Sequence, residues 1–363
     1  MSRVDADELE SFATEVLRTS GTSEETAQAV ARSLVESDLR GHTSHGVLRL
    51  PYYLELVEEG AIDPTTTPEI SRDDGTTAII DGRDAFGQLV GRELSAQLVA
   101  RAAEHGVAAV GVRDATHLGR VGEWAERVCG EGHAVVGFVN SQGGGQRVAP
   151  AGSSDRLLST NPLVVGLPSF GALSHDVVLD MATSQVAHGK LRERRHTGKS
   201  IPEGWAVDED GSHIRDIESF YAKEGAIRPL GGAVSGYKGF GLAVLAELIA
   251  GCFGVGDVAG MATPAYSNNA AGFMAVDIER FLTQTDVARR VSAIADHIDA
   301  AGADAVSTGA GSTGDQPRIP GAIEHEQLTE NREAGVPIDD RLATALWKLG
   351  DRLDITPPVT QAE

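Results

Sequence analysis

A chain of 363 residues with 41% hydrophobic side chains is long enough to bury more than one core, and 53 acidic against 31 basic residues give it a formal charge of −22. So acidic a surface repels nucleic acid and anionic membranes, which removes both from the expected partners, and two cysteines, Cys129 and Cys252, allow no disulfide framework and read as core thiols. The sequence shows no charged-then-apolar leader and no apolar run of membrane-spanning length, so the expected location is cytoplasmic.

In chain order, Asp5 to Arg18 and Ser23 to Arg40 place apolar residues at helical spacing. Thr22-Ser23-Glu24-Glu25 is arranged as a capping box, and Gly41 stops the second helix. Between Arg40 and Tyr53 the chain then gathers two guanidiniums, two imidazoles, two hydroxyls and two phenols. That density of hydrogen-bonding groups at a break between helical patterns marks a wall of an active site. With Thr43 or Ser44 as N-cap, His45 and Arg49 fall in the first turns of a third helix, four residues apart on one face. An arginine fork holds a carboxylate and a histidine exchanges a proton with the neighbouring oxygen, a pairing suited to a 2-oxo or 2-hydroxy acid. A capped helix start with a solvated Arg49 is the plainer reading of the same residues. His42 and His45 lack a third ligand at a suitable interval, so no metal is expected and a metal-dependent hydrolase is disfavoured.

The Pro/Thr segment Asp63 to Pro68 separates this helical part from an alternating one. Thr76 to Gly82 reads as a strand, Gln88 to His105 as a helix and Val107 to Val112 as a buried strand. Beyond it, Arg113 to Gly122 joins a polar strand end to a helix start, which brings forward His117 as a second acid–base candidate. The strand Ala134 to Val139 runs into Asn140, Ser141 and the glycines 143–145, where a backbone can approach a ligand closely. An apolar strand ends at Leu167. Val177 to Ser184 then closes a further strand on Asp180, Thr183 and Ser184 before a helix from Gln185 to Arg195, a place for ribose hydroxyls and phosphates. Residues 197–235 predict an ordered excursion over the site. Gly236 to Gly241 open the apolar helix Leu242 to Cys252, with Lys238 placed for an anion at the helix start. Gly309 to Gly314 fits the G-x-G-x-x-G pattern but has no helix after it, so it is read as a loop. Helices over Ile323 to Ala334 and Asp339 to Arg352 precede a disordered tail holding Pro357 and Pro358. Acid spread over many turns, with five lysines in all, matches surfaces adapted to high salt.

Taken together, Asp38 to Gly46, Asp81-Gly82 with Phe86-Gly87-Gln88, His117-Leu118-Gly119, Asn140-Ser141, Thr160-Asn161-Pro162, Asp180 to Ser184, Ile201 to Trp205 and Lys238 to Leu242 resemble, in order, the malate/L-lactate dehydrogenase family of the second type. Two places depart from the family pattern: Ser159 stands before Thr-Asn-Pro where glycine is usual, and Ala322 follows Pro320-Gly321 where glutamate is usual. The resemblance implies an α/β, non-Rossmann NAD(P)-binding fold, a homodimer, a helical domain formed by both chain ends (1–72 with 322–363) and an α/β region over 73–321. It further implies catalysis by His45 and His117, with Ser44, Arg49, Tyr53 and Ser141 on the substrate. The cofactor, NAD or NADP, would lie along Thr160, Asn161, Asp180, Met181, Ala182, Thr183, Lys238 and Gly239, with Pro320 and Gly321 closing over it. The implied reaction interconverts a small (S)-2-hydroxy acid and its 2-oxo acid. A cyclic ketimine reductase, a ureidoglycolate dehydrogenase and a non-catalytic ligand-binding homologue are the alternatives.

Overall fold

The computed structural model describes residues 2–142, 145–222, 225–261, 268–308 and 317–362; the glycine pattern at 309–314 lies outside them, as do Gly143 and Gly144. β1 (Ser2–Val4) leads into α1 (Ala6–Arg18), whose first turn is capped by the Asp5 carboxylate, and α2 (Glu24–Leu39), capped by Ser23. Because Ser23 and not Thr22 takes the cap, Thr26 occupies the third helical position and the reciprocal glutamate bond of the expected capping box does not form. The chain then departs from the expected helix at Ser44. It makes two 3-10 turns, Thr43–His45 and Val47–Arg49, before α3 (Leu50–Glu58). Asp38 explains the detour: its buried carboxylate accepts the Val47 amide at 2.8 Å, and Gly46 passes so near it that any Cβ there would collide.

The alternating part follows as β2 (Glu69–Asp73), β3 (Thr77–Asp81), α4 (Gly87–His105), β4 (Val107–Ala115), α5 (Val121–Gly130), β5 (His133–Val139), β6 (Leu163–Leu167) and β7 (Val177–Met181). The helix expected from Gln185 begins three residues later as α6 (His188–Thr197). The described residues of the excursion over 197–235 are built around β8 (Ala206–Asp208), α7 (Ile217–Tyr221) and β9 (Gly225–Ile227), with a small core of Leu191, Ile201, Phe220 and Ile227.

α8 (Gly232–Gly254) leaves helical geometry at Ser235, so the regular helix restarts at Gly236. By length and hydropathy it could cross a membrane, against the expectation that no run does, because the helix extends well before Leu242. Here it packs on the sheet, and its Glu247 is buried against Asn140 and Asn161. Leu242, Leu245 and Leu248 form an exposed stripe on its other side.

β10 (Asn269–Asp277), which the sequence pattern does not announce, takes the centre of a seven-stranded sheet ordered β2-β3-β4-β10-β5-β6-β7, in which only β3 and β4 run parallel. Side chains alternate across β4: Val110 and Val112 join the core with α4 and α5, while Gly111 faces Phe253 of α8. Helices therefore cover both faces. α9 (Gln284–Thr308), α10 (Ala322–Ala334), β11 (Val336–Ile338), α11 (Asp340–Leu353) and β12 (Thr360–Ala362) complete the chain. β1 pairs with both β11 and β12, so the tail expected to be disordered ends as a strand. Leu342, Leu346 and Leu349 of α11 close the core begun by Leu9, Phe12, Leu34 and Tyr53, which makes one helical layer from the two chain ends. Cys129 is a core thiol as expected, whereas Cys252 is exposed.

Candidate active site

A cavity of about 200 Å³ opens where the turns after α2, the corner between β4 and α5, the β5–β6 connection and the start of α6 converge. His45 and Arg49 reach it from the first, His117 from the second, Ser141 and Thr160 from the third. Five of the expected site residues thus meet, although they are spread over more than a hundred positions of sequence. The His45 and His117 rings stack with centroids 5.4 Å apart and planes inclined by 15°. Burial, and after it the Arg49 guanidinium, hold both imidazoles well below the ordinary histidine range, so both are neutral at neutral pH.

Each ring is held from behind. Ser44 Oγ lies 3.0 Å from His45 Nδ1, and Gly189 at the start of α6 runs against Ser44 so closely that a Cβ there would overlap it. Ser44 is therefore a wedge behind His45 and does not line the cavity. Tyr53 lies in the same way behind the other ring. It is 1% exposed, its oxygen sits 2.8 Å from His117 Nδ1, and it accepts a bond from Gln88 Nε2 at 2.9 Å. Burial pushes this phenol up to about 12. The two 3-10 turns lead into α3 with Tyr52 facing the cavity and Tyr53 the core. Asn269, at the start of β10, accepts the Leu118 amide and donates to the Asn140 carbonyl, which ties the His117 corner to the sheet.

Among the cavity residues that were not expected are two arginines and a histidine, Arg147, Arg192 and His188. Arg147 Nε donates to His188 Nε2 at 3.1 Å, and the Tyr221 hydroxyl lies 3.3 Å from the same nitrogen. Burial and then Arg147 hold His188 down to about 2. Arg192 sits over the Tyr52 ring, 5.8 Å from its centroid. Their signal in the sequence is faint; His188 and Arg192 are four apart on a helix, and nothing local points either at Arg147.

The segments expected to hold a cofactor gather around β7. Thr183 donates its hydroxyl to the Asn161 carbonyl, its own carbonyl accepts the Leu230 amide, and Gly239 packs on Leu230. The Pro320 carbonyl accepts the Val178 amide at the other end of the strand. Asn161 and Thr183 are completely buried, and their side chains brace the turn instead of facing outward. The Asp180 carboxylate is likewise engaged, accepting the Gly122 amide at the start of α5 at 2.7 Å. What remains for a dinucleotide fits one: Lys238 is exposed, α8 starts without a side-chain cap, and the buried Gln185 Oε1 beside Gly232 has no partner. Among the described residues no group of three His, Cys, Asp or Glu side chains is placed to hold a metal ion; His42 instead faces Glu324 at 3.4 Å.

Comparison with known proteins gives this geometry its context. Residues 4–347 match the family described as malate/L-lactate dehydrogenase. A malate dehydrogenase of Pyrococcus abyssi is 35% identical over 82% of each chain, and an L-sulfolactate dehydrogenase of Methanocaldococcus jannaschii is 32% identical over 94% of each. The crystal structure of malate dehydrogenase from Entamoeba histolytica superimposes with a TM-score of 0.87 over 99% of this chain and 100% of that one; at 24% identity it bears on the fold alone. A paired histidine and arginine site in a mixed α/β fold, matched over nearly its whole length, places the chain in the malate/L-lactate dehydrogenase family, enzymes that interconvert 2-hydroxy and 2-oxo acids with a nicotinamide cofactor.

Proposed function

We propose that the cleft binds a small 2-hydroxy or 2-oxo acid with its carboxylate on Arg49, and that His117 moves the proton of the C2 oxygen. The observation that carries this assignment is the buried chain Gln88–Tyr53–His117, which fixes His117 through Nδ1 and leaves Nε2 to the cavity. The neutral ring takes the hydroxyl proton when the acid is oxidised, and the imidazolium returns it to the carbonyl oxygen in reduction. For the first of these Nδ1 must carry the ring proton and donate to the Tyr53 oxygen. The phenol proton then needs an acceptor, and a half-turn of the Gln88 carboxamide presents Oε1, which is buried without a partner. His45, stacked on His117, and Ser141 hydrogen-bond the substrate oxygen from the other side. When bound, the nicotinamide cofactor supplies or accepts the hydride at C2; Thr160, Ala182 and Met181, with Lys238, Gly239, Pro320 and Gly321, would hold it.

The cleft lies between a part made by the chain ends, 1–72 and 322–363, and the region 73–321, which supports a two-domain organisation with the site at the seam. We propose as well that a second copy of the chain covers Leu242, Leu245 and Leu248; Leu245→Glu should then turn a sedimenting dimer into a monomer.

The test is nicotinamide absorbance in molar KCl, with NADH and NADPH each offered against 2-oxo acids and against a cyclic imino acid. Oxidation with an oxo acid supports the reading and selects the nucleotide. Turnover of the imine alone, or no cofactor binding by folded protein, overturns it.

A further inference from the structure

The two arginines with the least exposed surface in this acidic chain are each matched by acid: Arg120 holds Glu126 through both its terminal nitrogens, and Arg101 holds Asp73. The cleft breaks that pattern. Arg49, Arg147 and Arg192 all line it, and among the described residues none of the three forms an ion pair; Arg49 donates to the Ser44 carbonyl, Arg147 to His188, and Arg192 rests on Tyr52. One guanidinium suffices for one carboxylate. Two more, half-buried and uncompensated, carry a desolvation cost that a bound anion would offset.

We propose that Arg147 and Arg192 form a second-anion subsite and that the acid turned over is dianionic, with a further carboxylate or a sulfonate on C3. The inference rests on the dehydrogenase reading above and narrows it to a substrate class. His188 fits the role of a support. Its Nε2 accepts from Arg147, and the Tyr221 hydroxyl 3.3 Å from the same nitrogen helps to fix the ring that aims that guanidinium. Ala187, His188 and Gly189 at the start of α6, which has no side-chain cap, line the same cavity. Arg192 lines the same cavity as Arg49, His45 and His117. A cavity shared with Arg49 suits a second anion on the same acid, whereas the segments expected to hold the dinucleotide gather around β7.

The experiment compares kcat/KM for oxaloacetate, 3-sulfopyruvate, pyruvate and 2-oxobutyrate, the last being of matched length and without the second charge. Wild-type enzyme should favour a dianion over 2-oxobutyrate by about 100-fold or more, as two charge-assisted contacts warrant. Arg192→Gln and Arg147→Gln should each remove about 10-fold or more of the dianion's kcat/KM and leave 2-oxobutyrate within about 3-fold. The 2-oxobutyrate rate also verifies that each variant is folded, and either variant alone carries the test. Whether oxaloacetate or 3-sulfopyruvate gains more chooses carboxylate or sulfonate. Equal rates for 2-oxobutyrate and the dianions in the wild type, or a loss confined to the KM of the nucleotide, would overturn the subsite and leave the dehydrogenase standing. Silence with all four acids and both nucleotides would overturn the dehydrogenase reading itself.

Discussion

The two walls of the cleft are built on opposite principles. On the wall of His45, His117 and Tyr53, every functional group is neutral, buried and tied to a partner: Ser44 behind one ring, Tyr53 and Gln88 behind the other, and Asp38 under the turns that carry them. The wall of Arg147 and Arg192 is charged, open to the cavity and free of acid. The first kind of wall fixes geometry, because a buried hydrogen bond tolerates little displacement. The second supplies electrostatic attraction for an anionic ligand. Arg49 belongs to both: burial and then Arg192 bring its guanidinium down to about 10, still charged at neutral pH. If this contrast is real, substitutions in the neutral wall should change kcat and those among the charges should change KM.

The sharpest break comes from His117→Gln, which keeps a hydrogen-bonding group and removes the proton carrier. kcat should fall by about 10²- to 10⁴-fold in both directions, measured with saturating acid and nucleotide. A near-normal kcat would move the proton to His45. The same ring predicts the pH profile. Its affinity for a proton is lowered in the free enzyme, so kcat/KM for hydroxy-acid oxidation should stay level from neutral pH down past the ordinary histidine value of 6.5 and fall only below it. Arg49→Gln comes next. Because the carboxylate contact exists in the ground state and the transition state alike, KM should rise by roughly 10- to 100-fold with kcat little changed. A collapse of kcat instead would mean that Arg49 acts on the reacting oxygen.

How much of this was legible in the sequence follows the same division. The neutral wall is local: His45, Arg49 and Tyr53 sit within one stretch, and the His117 corner follows a strand that periodicity reveals. Even there, which tyrosine turned inward was not legible. A one-residue question of helix phase depends on the two 3-10 turns, and those depend on Asp38, nine residues upstream of the amide it accepts. The charged wall was invisible, because Arg147 and Arg192 come from a loop and a helix that meet the histidines only through the fold. β10 escaped for a different reason. Asn269-Ala-Ala-Gly-Phe-Met-Ala-Val-Asp is built of small residues with little strand preference, and burial between β4 and β5 overrides that preference. The cofactor segments were located in sequence, yet the direction of their side chains was not: Asn161, Asp180 and Thr183 serve the protein's own turns.

Tyr53→Phe sharpens the comparison on the neutral side. It keeps the ring in the core and removes the single hydroxyl that holds His117 Nδ1, so kcat should fall by about 10-fold while KM for the acid stays put, as steady-state kinetics would show. An unchanged kcat would mean that packing alone orients the imidazole.

Asp38→Asn tests the wall at its base, with the smallest effect on activity. Burial raises the Asp38 carboxyl from 3.8 to about 8, opposed only by its bond from the Val47 amide. The folded chain therefore binds a proton that the unfolded chain releases, and the stability linked to that proton is complete below 3.8 and is lost as pH rises through about 8. Asparagine is neutral throughout and still offers Val47 an acceptor oxygen. Melting curves of the two proteins should coincide in acid and diverge toward alkaline pH, with the asparagine form more stable by on the order of 5 kcal/mol. KM for the acid should not move, since the turns carrying His45 and Arg49 keep their anchor. If the wild type proves the more stable at alkaline pH, the ionised carboxylate is what holds those turns, and the wall described as neutral has a charge at its foundation.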